Sequence, residues 1–110
     1  MMSGHRELLR RLAIADDDAL RRVVGGTASE PELLDEVTVS VVRLAGLIAV
    51  GGGGPSYQSA VDHCRAAGVE DGAIVEVVAA IAPIIGEAQA QAGASRLAAA
   101  LAVTPKVGDT

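Results

Sequence analysis

Apolar residues recur at helical spacing along most of this 110-residue chain. In "HRELLRRLAI", residues 5–14, Leu8, Leu9 and Leu12 fall on one helical face. "ADDD" follows, then "ALRRVV". Asp16 or Asp17 is placed to cap this second short helix, and the clustered acids suit its positive end. "GGTASEPE", residues 25–32, carries the breakers of a loop. Residues 33–50, "LLDEVTVSVVRLAGLIAV", place apolar side chains at 34, 37, 41, 44 and 48, in alternating steps of three and four. The β-branched run of Val37, Thr38, Val39, Val41 and Val42 competes as a strand. Helix is preferred, because the period persists for about four turns and the segment outruns an ordinary strand. Asp35 and Glu36 favour its N-terminus.

Glycines 51–54 end that helix, and Pro55 suits the first turn of the next. Over residues 55–67, Ala60, Val61, Cys64 and Ala67 share a face, and Gly68 is placed to stop the helix. Residues 70–85, "EDGAIVEVVAAIAPII", are apolar on most sides, so this helix is expected to be central. Pro83 should kink or end it. Gly86 precedes an Ala-rich last helix, and the tail over 104–110 is expected to fray. The pattern predicts an all-α fold: an N-terminal helical arm and loop over 1–32, and four core helices over 33–103. Gly46, Gly86, Ala90, Gly93 and Ala94 are small enough to let helix backbones approach closely.

Composition sharpens this picture. Half the residues are apolar, yet there is no Phe or Trp, and Tyr57 is the single aromatic. A core of Ala, Val, Leu and Ile buries little area per side chain, at about 25 cal/mol per Å². Association with further copies is the expected remedy. The net charge of −5 argues against nucleic-acid binding. The local cluster of Arg6, Arg10, Arg11, Arg21 and Arg22 is interleaved with Glu7, Asp16, Asp17 and Asp18, as in a solvated helical face. One cysteine, Cys64, excludes an intrachain disulfide and fits a reducing compartment. "MMSGHRELLRR" shows no apolar leader segment, and Arg43, Glu76 and Glu87 break the apolar runs. The expectation is a cytoplasmic protein with no membrane span.

The run "GGGGPS" invites a phosphate-cradle reading, but a P-loop needs a preceding strand and a Lys-Ser/Thr ending. A more specific likeness lies in the order of features. An acidic "LD" opens a helix with "RLAGLIA"; a loop leads to "SYQSAVDHCRAAGV"; then come "EDGAIVEVVAAIAPIIG" and an Ala-rich helix. This resembles the carboxymuconolactone decarboxylase family, which includes the alkylhydroperoxidase D proteins, over about residues 33–102. The resemblance implies a compact all-α fold that assembles into trimers or hexamers. It implies two chemistries, a dithiol peroxidase and a cofactor-free action on a lactone acid. Anchored on Gly68, the family's two cysteines fall at Gly53 and Ser56, its histidine at Ala60, and its glutamate at Ser40 or Val41. None is retained. Thiol–disulfide exchange needs a thiolate and a second sulfur, so the dithiol mechanism is missing.

Candidate residues remain near the loop. Ser56 is a nucleophile only beside a base, and otherwise belongs to the helix N-terminus. Tyr57 either hydrogen-bonds a small ligand or plugs a core short of large side chains. His63 is a candidate acid–base group and lies beside Asp62 on the polar side. Glu76 interrupts an apolar helix, as Arg43 interrupts the one before the loop, and a Glu76–Arg43 pair would answer both. Cys64 is expected in the core, His5 in the arm without a role, and Glu87 at the start of the last helix. No metal or organic cofactor is implied. Three functions compete: a cofactor-free lyase or small-molecule binder using Ser56, Tyr57, His63 and Glu76; a noncatalytic homo-oligomeric scaffold; and, by family label, a peroxiredoxin-like oxidoreductase.

Overall fold

The computed structural model describes residues 4–26 and 32–102. It is all-helical, with no strand among those residues. Residues 27–31 of the expected loop and the expected tail over 104–110 lie outside the described residues. The chain divides into two compact units, Met1–Glu32 and Leu33–Thr110.

The first unit holds α1 (Gly4–Ala13) and α2 (Asp17–Val24). Asp16 caps α2, accepting from the Ala19 backbone N–H at 3.0 Å. Arg11 closes on the same carboxylate through Nη2 at 2.8 Å. That backbone bond first, and Arg11 second, hold the Asp16 carboxyl below the usual carboxylate range. Arg10 pairs with Glu7, and Arg21 with Asp17. These exposed pairs are what a solvated helical face looks like.

The second unit holds α3 (Glu36–Val50), α4 (Gly54–Ala66), α5 (Asp71–Ile85) and α6 (Glu87–Ala100). Asp35 caps α3 by accepting from the Thr38 N–H at 2.8 Å, so Leu33 and Leu34 stand outside the helix. The β-branched run is helical throughout, as its period of 3.6 favours over its propensity. Gly68 stops α4 with φ +93°. Its N–H donates to the Arg65 carbonyl at 3.0 Å, and the Val69 N–H reaches the Cys64 carbonyl at 2.9 Å. This is a Schellman ending, and Val69 and Cys64 are both buried in the core beneath it. Pro83 does not stop α5 at once. It sits in the last turn, and the helix ends at Ile85.

The core joins Leu44 and Ile48 of α3, Tyr57, Val61 and Cys64 of α4, Val69, Ile74 and Val77 of α5 and its approach, and Leu97 of α6. α3 and α6 each pack against both α4 and α5, and against each other, while α4 and α5 barely touch. The inner pair is therefore α3 and α6. The expectation of a central α5 needs correction: its apolar surroundings are only partly supplied within the chain. Ile74 and Val77 are buried, but Ala73, Val75, Ala79, Ala80, Pro83 and Ile84 are exposed.

Between α4 and α5, Arg65 grips Asp71 with a two-pronged bond, Nε to Oδ1 and Nη2 to Oδ2, both at 2.9 Å. The Arg65 hydrogen bond holds the Asp71 carboxyl below its ordinary value. A carboxylate depressed in the fold adds stability above its unfolded value, about pH 4, and loses it as pH falls through the folded value. Asp71→Asn is therefore expected to lower the urea midpoint slightly at neutral pH, and to leave it unchanged once pH is low enough to protonate Asp71 in the folded chain. Molar salt should shrink the neutral-pH difference, since the pair is exposed.

Candidate functional site

Of the residues singled out by the sequence, Ser56, Tyr57, His63 and Cys64 lie on α4, which follows the glycine segment, whereas Glu76 lies on α5. Gly51 takes φ +79°, a left-handed turn that ends α3. The N–H groups of Gly51 and Gly52 both donate to the Leu47 carbonyl, at 3.0 and 3.3 Å. That leaves the Ile48 carbonyl, which accepts from Gln89 Nε2 of α6 at 2.8 Å. A side chain 41 residues away thus completes the end of α3. Gly53 is the N-cap of α4 and supplies no side-chain cap.

Ser56 lies in the first turn of α4 and is exposed, and its side chain makes no hydrogen bond among the described residues. His63 stands seven residues on, on the same helical face, about 10 Å along the axis. That separation rules out a direct nucleophile–base bond between them. His63 is exposed, and its Nδ1–H donates to the Ser59 carbonyl at 2.9 Å.

Tyr57 is fully buried between α4 and α6. Its hydroxyl has no hydrogen-bond partner. The ring tip fits because position 93 on α6 is glycine. A Cβ there would sit 3.3 Å from Tyr57 Oη and 2.7 Å from Ile48 Cγ2. Burial pushes the phenol upward, and the charge of Arg96 partly offsets this. Cys64 is also fully buried, with Sγ 3.5 Å from the Ser40 carbonyl of α3. Burial raises its thiol, the opposite of what a reactive cysteine needs.

Glu76 and Arg43 are both exposed, and no ion pair joins them. The Glu76–Arg43 pair expected within one chain does not form. Glu87 opens α6 in its first turn. His5 lies exposed in α1, in the other unit. Among the described residues, no hydrogen bond or ion pair joins any two of Ser56, Tyr57, His63 and Glu76. Nor is any group of three or more His, Cys, Asp or Glu among them placed to hold a metal ion. No helix of the described residues is long and apolar enough to cross a membrane.

Two structural contacts had little signal in the sequence. Gln89 is one of two glutamines in an Ala-rich helix, and nothing in the pattern distinguishes it from Gln91. The Arg65–Asp71 grip spans a helix boundary, where pair rules for a single helix do not reach. Comparison of the chain with family models, with curated proteins and with solved structures found no match.

Proposed function

We propose that the chain is a noncatalytic association module that assembles with further copies of itself through helical faces left open in the single chain. The observation that carries this reading is the outer face of α5. Val75 is 53% exposed and Ile84 is 82% exposed, with exposed Ala73, Ala79, Ala80 and Pro83 beside them. A largely apolar exposed face of this kind, with Glu76 as its one charge, is a mark of an interaction surface. The core offers a reason for it. Its largest aliphatics are Leu and Ile, and only one aromatic is available, so covering a further face would add burial that the single chain lacks. The resemblance to carboxymuconolactone decarboxylase-like proteins supports the same reading, since it implies assembly through helices, while Gly53 and Ser56 stand where the family's dithiol would be.

Unfolding should then depend on protein concentration, because folding is coupled to assembly. The urea midpoint of the natural chain is expected to rise with concentration. Ala79→Arg, which places a charge on an exposed position of α5, should abolish that rise while preserving helix content. A midpoint independent of concentration in the natural chain would contradict the proposal.

One observation favours a second reading, a small-molecule binder of the decarboxylase-like kind. The unpartnered hydroxyl of Tyr57 is a polar atom that a ligand could satisfy. Ser56, His63 and Glu76 would then have to move toward it. The peroxidase reading gains no support from Cys64, whose burial disfavours the thiolate.

A further inference from the structure

Two charged side chains interrupt the open apolar faces, and neither has an ion-pair partner among the described residues. Arg43 is exposed on α3 beside exposed Val42, Gly46 and Val50. Glu76 is exposed on α5, between Ala73 and Ala80 on successive turns. Apart from Arg96 on α6, the other described charges of this unit have local reasons for their places. Arg65 is held by Asp71, and Asp62 accepts from Gln58. Glu36 and Glu87 lie in first turns, where the helix dipole favours an anion, and Glu70 is the N-cap position of α5. Arg43 and Glu76 stand in mid-helix among small apolar neighbours, with opposite sign.

If those faces meet another protein surface, both charges lose water and each needs a counter-charge. We infer that Arg43 of one copy pairs with Glu76 of a second, setting the open face of α3 against the open face of α5. The occupant is a second copy of this chain, because each face carries the charge that the other lacks. The pair also fixes register. Small apolar faces slide easily over one another, and a single opposite-charge contact in each selects one alignment. This inference rests on the association proposed above and assigns that association its faces.

Charge reversal tests it, with dissociation constants measured by sedimentation equilibrium on the full chain. Arg43→Glu and Glu76→Arg should each weaken association by at least about tenfold, since each sets like charges together. The double reversal should recover to within a few-fold of the natural chain. Both positions are exposed, so circular dichroism should show unchanged helix content in every variant. Single reversals without effect, or a double variant no tighter than the singles, would overturn the pairing alone. A natural chain that stays monomeric throughout would overturn both the pairing and the association beneath it.

Discussion

Gly93→Val is expected to cost the fold about 3 kcal/mol or more, and Gly93→Ala about 1–2 kcal/mol. The direction is the informative part. Inside a helix, glycine to alanine ordinarily gains about 1 kcal/mol. At position 93 the new Cβ would stand 2.7 Å from Ile48 Cγ2, well inside van der Waals contact. Ile48 is fully buried and branched at Cβ, so its methyl has nowhere to swing. The Tyr57 hydroxyl closes the other side at 3.3 Å. Either α6 withdraws from α3 and α4, or the ring leaves its place. Both options open the core, and the steric term outweighs the propensity gain. Urea denaturation at fixed protein concentration, with an unchanged slope, measures the loss. A more stable Gly93→Ala would mean that α6 does not approach α3 as closely as described.

Tyr57 carries the second large effect. Tyr57→Ala removes the only aromatic ring from the centre of the core and should cost about 3–5 kcal/mol. That is a large share of the roughly 5–15 kcal/mol a domain has. Tyr57→Phe should act in the opposite direction. It keeps the ring and removes a buried hydroxyl that makes no hydrogen bond. Removing an unsatisfied polar group should raise stability by about 1 kcal/mol. If Tyr57→Phe instead destabilised the chain by a similar amount, the hydroxyl would have a partner. The binder reading would then lose the observation that favours it.

The helices were legible in the sequence to within a few residues, and the reasons are local. Gly68 is a strong boundary signal, and the structure uses it as expected in a left-handed turn; Asp35, expected inside the N-terminal end of a helix from residue 33, is instead its N-cap. The arrangement of the helices was less legible. α5 reads as central because periodicity reports how apolar a helix is, not what covers it. The structure gives that place to α3 and α6, and it leaves α5 with an open side. The candidate site was legible only as a set of residues. Ser56 and Tyr57 are neighbours in the chain, yet one faces solvent and the other the core, because adjacent helical positions diverge by about 100°. Small residues at 90, 93 and 94 suggested a close approach, but only packing singles out Gly93 as the one that admits the Tyr57 ring.

The central claim is that the single chain leaves a face of α5 that another copy covers. The mass in solution tests this most directly, by light scattering across micromolar concentrations. The account predicts a species at a multiple of the 11.0 kDa chain that dissociates on dilution, and Ala79→Arg at 11.0 kDa throughout. A natural chain that scatters as 11.0 kDa at every concentration would contradict it.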